Sequence, residues 1–265
     1  MLTPPSSERI EVGVDEVGRG CLSHSVVAAA CVLPADMDMD HPLVAYIKDS
    51  KKVTEKKRKS VEAYIKSIAT AWAIGEASVE EIDTVNILQA TFIAMHRALD
   101  QVYEKVQFEH IIVDGPHFKP YLKDDTRLSN TCVPEGDAKY LCIAAASILA
   151  KCYRDDMVCA MVQNNPELEK YGFSSHKGYG TKKHLDALKQ YGVTPHHRKS
   201  FSPVAAIVHG HSPSTSSNTN PNPNTIASPN TNTNANVKDN KKKYNKYTYT
   251  RVSAPLQFVD SDEDE

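Results

Sequence analysis

No two cysteines in this chain form a C-x-x-C pair, although there are six of them. A zinc site of the usual spacing is therefore not expected. Cys21, Cys31, Cys132, Cys142, Cys152 and Cys159 fall in apolar runs, where a free thiol behaves as a small hydrophobe. A disulfide framework is not expected in a chain this long, and a reducing compartment suits the pattern. The chain also carries little net charge. A formal −2 over 265 residues gives no global basic field to draw nucleic acid, so any such binding must rest on local patches. No apolar stretch is long enough to span a bilayer, and residues 1–7 lack the charged-then-apolar pattern of a leader. A soluble, monomeric, intracellular and cytoplasmic protein is expected. What the chain does have is 40% hydrophobic residues, enough for one sizeable core with length to spare.

The spare length lies at the C-terminal end. Residues 212–240 are Asn, Thr, Ser and Pro with almost nothing to bury. Beyond them a basic block with tyrosines precedes an acidic end. The expected organisation is a folded domain over residues 1–208, helical from about 150, and a disordered low-complexity tail over 209–265.

The most informative stretch is Val12-Gly13-Val14-Asp15-Glu16-Val17-Gly18-Arg19-Gly20. Ile10, Val12 and Val14 alternate as in a half-buried strand. Neighbouring strand residues point to opposite faces, so Asp15 and Glu16 share a site only where the strand ends or bends. Gly18 and Gly20 permit that bend. Two acids beside one cation and free backbone N–H groups suit a divalent metal and a phosphate; the plain alternative is an acidic surface turn.

Residues 25–34 read as a second strand, antiparallel to the first across a short gap. A lysine-rich loop follows, and Thr54 is placed to cap a helix carrying Val61, Tyr64, Ile65 and Ile68. Residues 70–77 read as a strand and Ser78-Val79-Glu80-Glu81 as a capping box. A long amphipathic helix runs through Leu88, Met95 and Val102. His110-Ile111-Ile112-Val113-Asp114-Gly115 repeats the opening design of buried strand, acid and glycine. Thr131-Cys132-Val133 offers a last short strand, before an apolar helix from Tyr140 to about Met161. Lys151, Arg154, Asp155 and Asp156 read as its solvated end. Residues 171–181 read as a loop, and 184–191 as a helix. The basic segment 194–201 closes the domain near Ile207.

Alternation of strand and helix predicts an α/β fold, with functional groups at the carboxyl ends of strands. Asp15, Glu16, Asp114 and Asp137 each sit at a strand end or beside a glycine turn. Four acids in one cleft need cations to stay ionised, and hard oxygen ligands suit Mg²⁺ or Mn²⁺. Two such ions about 3.5–4 Å apart activate a water and stabilise a leaving oxygen in phosphodiester hydrolysis. Taken singly, Asp114 reads more readily as a strand-end turn and Asp137 as a capping aspartate.

Together with Cys21-Leu22, Asp49-Ser50-Lys51-Lys52, residues 86–91, Val113-Asp114-Gly115, Gly136-Asp137, residues 144–151, Arg154-Asp155, His176-Lys177-Gly178-Tyr179 and residues 197–201, the opening stretch resembles type 2 ribonuclease H, the prokaryotic RNase HII family. The resemblance covers roughly residues 10–207. It implies an RNase H-like fold, a mixed five-stranded sheet flanked by helices with a helical C-terminal subdomain. It implies metal-dependent cleavage of RNA in RNA–DNA hybrids, and incision 5′ of a ribonucleotide embedded in duplex DNA, leaving 5′-phosphate and 3′-OH ends. By the same resemblance Asp15, Glu16, Asp114 and Asp137 are the catalytic metal ligands. Gly18, Arg19 and Gly20 sense the ribose 2′-OH, Tyr179 packs on the neighbouring sugar, and Lys51 contacts backbone phosphate. The chain departs from the family at His24-Ser25, where Gly-Pro is usual, and at Glu135, where lysine is usual. Both lie near the expected site, and His24 is placed to approach it. A different reading is a catalytically inactive scaffold that binds hybrids.

Overall fold

The computed structural model describes residues 2–48 and 53–210, all within one unit of the chain. Lys51 and its neighbours 49, 50 and 52 lie outside the described residues, as does the tail from residue 211.

Strands β1 (Glu11–Val17), β2 (Val26–Val32) and β3 (Ala71–Ala77) form an antiparallel meander. Strand β4 (His110–Asp114) lies parallel to β1 on its other edge. A small hairpin, β5 (Leu122–Lys123) and β6 (Thr126–Arg127), precedes β7 (Ser129–Val133), which is parallel to β4. The main sheet is thus mixed and five-stranded, in the order β3-β2-β1-β4-β7. The hairpin was not foreseen, because two-residue strands carry no readable period.

The unbroken apolar run of β2 follows from its place in the sheet. Val26, Ala28 and Ala30 pack in one cluster with helix α3 (Ile87–Tyr103), which follows the short α2 (Val79–Val85). Val27, Ala29 and Cys31 pack in another, with α1 (Glu55–Ile68) and α4 (Leu141–Asn164). A strand covered on both faces has no polar side, so it shows no alternation. The contact with α4 is close. A Cβ on Gly13 of β1 would lie 2.3 Å from the Cys142 carbonyl carbon, so only glycine lets that helix rest on the strand.

The C-terminal part is helical: a 3₁₀ segment Pro166–Tyr171, then α5 (Phe173–His176), α6 (Lys182–Tyr191) and α7 (Ser202–Val208). Its own core joins Leu22, Val158, Leu168, Phe173, Leu188 and Val204.

Several expectations are corrected. Thr54 does stand at the N-cap of α1, but its side chain makes no capping bond. The stretch expected to be a loop at 171–181 begins with short helical turns, and the closing basic segment leads into α7. Arg154 and Asp155 are not a solvated end. Arg154 is fully buried, and Asp155 is buried between Lys151 (2.6 Å) and Arg58 (3.2 Å). The reason is that α4 is enclosed for most of its length, with the sheet on one side and the helical part on the other.

Candidate active site

The site grows from the carboxyl ends of β1 and β4. Val14 pairs with Val113 in parallel, so Asp15 and Asp114 are the next residues on adjacent strands. Each acid is held by a backbone donor. Asp15 Oδ1 accepts from the Glu16 N–H at 2.7 Å, and the Ser147 hydroxyl on α4 bonds the same carboxylate. Asp114 Oδ1 accepts from the Gly136 N–H at 2.7 Å. Glu16 would point away from Asp15 by strand alternation, but Arg19 Nη1 holds its Oε1 at 3.3 Å and draws it to the strand end. The result is three carboxylates whose ligand oxygens all lie within 4.8 Å of one another: Asp15, Glu16 and Asp114.

Asp137 stands on the neighbouring 3₁₀ turn Gly136–Ala138, outside that group of three. The turn begins at Glu135 in the left-handed region, φ +56°, and is tied to the site by the Gly136 bond to Asp114. A Cβ on Gly136 would meet Ile143 at 2.6 Å, so glycine allows this turn to lie against α4.

Electrostatics set the character of the cluster. Asp15 is buried, and its carboxyl is held well above the ordinary range by that burial, then by the charges of Glu16 and Asp114. Burial also raises Glu16; Arg19 opposes this and Asp114 adds to it. Such a set is poorly stable as three bare anions, and it presents hard oxygens on one side of a strand end. That donor set fits a hard divalent cation.

Strand β1 runs through both acids to Val17 and ends just before the Gly-Arg-Gly turn. The bend falls at Gly18, φ +92°, whereas Gly20 keeps an ordinary backbone conformation. Gly18 is required twice over, because a Cβ there would also lie 2.3 Å from Arg154 Nε. Tyr179 is brought to this turn by pairing. Cys21 and Tyr179 form an isolated antiparallel bridge, and the Leu22 N–H donates to the Gly178 carbonyl at 2.9 Å. Tyr179 is 39% exposed there, open to a ligand.

His24 was expected to be able to approach this site; its ring instead packs into the helical part. It stacks on His196 at 5.7 Å and meets Phe173 edge-on at 4.7 Å. It adopts φ +68°, and burial pushes its pKa down to about 2. Ser25 Oγ bonds Glu76 at 2.9 Å.

The profile of one family, Ribonuclease HII, matches residues 12–204, which include all four acids, Gly18-Arg19-Gly20 and Tyr179. The chain belongs to the ribonuclease HII family. It is thereby an enzyme, a nuclease of the ribonuclease H class. Ribonuclease HII of Parabacteroides distasonis is 47% identical over 194 residues, which is 73% of this chain and 90% of the relative. The fold is shared with ribonuclease H2 of Pyrococcus horikoshii OT3, with TM-score 0.58 and 22% identity over 76% of this chain and 98% of that one. It is also shared with Bst-RNase HIII, solved in complex with Mn²⁺, with TM-score 0.59 and 19% identity over 76% of this chain and 70% of that one.

In this ribonuclease HII family member three residues near the site were not legible as such beforehand. Ser147 enters the sequence reading only as one residue of the stretch 144–151. Arg154 was read as solvated. Arg198 was one cation in a basic segment. A polar residue repeated inside an otherwise apolar helix is the one available signal, and Ser147, Lys151, Arg154 and Asp155 do carry it.

Proposed function

We propose that this chain is a metal-dependent endonuclease that hydrolyses the RNA strand of RNA–DNA hybrids and incises 5′ of ribonucleotides embedded in duplex DNA. The products are 5′-phosphate and 3′-OH ends. The observation that carries the reading is the three-carboxylate cluster at the foot of the Gly18 turn, in a chain of the ribonuclease HII family. Residues 1–208 form the catalytic domain, helical from about 150.

Asp15, Glu16 and Asp114 would hold Mg²⁺ or Mn²⁺, with Asp137 contributing from the adjacent turn. When bound, such ions supply an activated water and neutralise charge on the leaving oxygen. The chain's own residues set the geometry. The Glu16 and Gly136 amides fix the Asp15 and Asp114 carboxylates, and Arg19 holds Glu16 over the strand end. Gly18, Arg19 and Gly20 read the 2′-OH, the group that separates RNA from DNA. Tyr179, exposed beside them, packs on the neighbouring sugar. Lys51, outside the described residues, contacts backbone phosphate. The enzyme acts as a monomer in the cytoplasm.

The test is a nicking assay on two duplexes, a continuous hybrid and a DNA duplex with one ribonucleotide, each with Mg²⁺ and with Mn²⁺. Cleavage of both, 5′ of the single ribonucleotide, is expected. A folded protein that binds but cuts neither with either metal overturns the reading and leaves an inactive hybrid-binding scaffold.

A further inference from the structure

Two arginines are buried completely, Arg154 on α4 and Arg198 just ahead of α7. Neither forms an ion pair among the described residues. Their paired donors go to main-chain carbonyls instead, and Arg198 Nη2 is buried without a partner. Arg154 donates to Lys177 O (2.8 Å), Ser23 O (3.2 Å) and Ser25 O (3.3 Å). Arg198 donates to His24 O (2.8 Å) and Arg19 O (3.0 Å).

Burying a cation away from any carboxylate is costly, and apolar side chains would fill the same space without that cost. What a guanidinium adds is a rigid planar fork that fixes the direction of each acceptor. The acceptors belong to two segments only. One holds the Gly18-Arg19-Gly20 turn and its continuation to Ser25. The other is the turn carrying Tyr179, where Lys177 supplies the carbonyl. Backbone bonds support the join: Leu22 N–H to Gly178 O links the two segments, while Arg198 N–H to Leu22 O and His24 N–H to His196 O tie the first of them to the stretch that carries Arg198. Arg154 also lies directly under Gly18, where a side chain would displace it.

We infer that Arg154 and Arg198 are positioning residues that lock the Gly18-Arg19-Gly20 turn and the Tyr179 turn into one rigid reader of the step from ribose to deoxyribose. The inference rests on the function proposed above. It predicts that selectivity, more than turnover as such, depends on the fork.

Arg198→Lys keeps the charge and removes the fork. In the folded variant, kcat/KM on the single-ribonucleotide duplex should fall about tenfold more than on the continuous hybrid, the loss of roughly one directed bond's worth of transition-state binding. Equal falls on both substrates overturn the inference, since a general weakening of the fold would lower both together. Hydrogen exchange on the unaltered full chain keeps the test open if the variant fails to fold. The amides of Leu22, His24 and Arg198 should open as one unit with that of Tyr179; separate opening of the Tyr179 turn overturns the lock. If the unaltered protein leaves an embedded ribonucleotide uncut, the proposed function fails, and exchange alone then decides on the lock.

Discussion

Asp15 and His197 are both buried polar side chains, one at the end of the central strand and one in the helical C-terminal part. Their surroundings push them in opposite directions. Asp15 is driven toward its protonated form by burial first, and then by the acids around it. His197 lies among histidines and is driven toward its neutral form, with a pKa near 3 caused first by burial and then by His184. The acid cluster is left wanting a cation. The His184–His197 pair is satisfied as it stands. The His197 Nδ1 accepts from the Thr194 N–H at 3.0 Å, which leaves its Nε2–H to donate to His184 Nε2 at 3.0 Å. His184 in turn donates from Nδ1 to the Tyr179 carbonyl at 2.9 Å. Every ring nitrogen of the pair has a defined role, and both rings are neutral. The difference shows which cluster is built to take a ligand and which is built to hold shape.

Replacing an acid should break the ligand-taking cluster most severely. Asp114→Asn is expected to lower hybrid cleavage by about a thousandfold, the scale of losing one group that stabilises transition-state charge, while a binding assay stays positive. Retained turnover would remove Asp114 from the site.

Acid should break the other cluster. A histidine held neutral in the fold binds fewer protons than the same residue unfolded. Its stabilisation is complete above about pH 6.5 and is lost as pH falls below that value. His24 and His197, with folded values near 2 and 3, should each cost about 2 kcal/mol at about pH 5. Protonating His184 would set its Nε2–H against that of His197, and protonating His197 would set its Nδ1–H against the Thr194 N–H. Melting curves between about pH 7.5 and pH 5, read beside hydrogen exchange of residues 171–201, check this. A C-terminal part that loosens no more than the sheet would refute it.

Gly18 lies where the two regions meet. Gly18→Ala should cost about 1–3 kcal/mol, because alanine resists φ +92° and its Cβ would drive into Arg154. Chemical denaturation measures it.

The smallest effect sharpens the contrast. A carboxyl held toward its protonated form binds more protons folded than unfolded. The stability it contributes is present below the ordinary carboxylate range and is lost as pH rises through the raised value. At neutral pH without divalent metal, Asp15→Asn should therefore raise the melting temperature, by about 2–4 °C if the relief is about 1 kcal/mol. Adding Mg²⁺ should shrink the gain; a drop in melting temperature on substitution would contradict the account.

Much of the sheet was readable from residue pattern. Alternation marks β1, the apolar run marks β2, and the strand-acid-glycine design appears at both β1 and β4. Parallel pairing of those two strands then brings Asp15 and Asp114 side by side. What sequence could not give was enclosure. Arg154 and Asp155 look solvated because charge at a helix end usually is, and only the packing of a second layer over α4 turns them inward. The placement of Asp137 relative to the other three acids depends on the left-handed step at Glu135, which a glutamate does not announce. His24 likewise takes a conformation that favours glycine, the residue usual at that place in the family, although a histidine does not itself announce it.

The bond from Arg198 to the Arg19 carbonyl spans 179 residues of chain. During synthesis the amino-terminal strands leave the ribosome long before residue 198 does. The three acids can therefore be in place while the turn beside them still lacks one of its anchors. Under the proposed roles, a nascent chain at that stage would carry the cutting chemistry without its discrimination, were it free to use it. Completion of the proposed reader by a residue near the end of the domain would make competence a late event, coupled to release of nearly the whole domain.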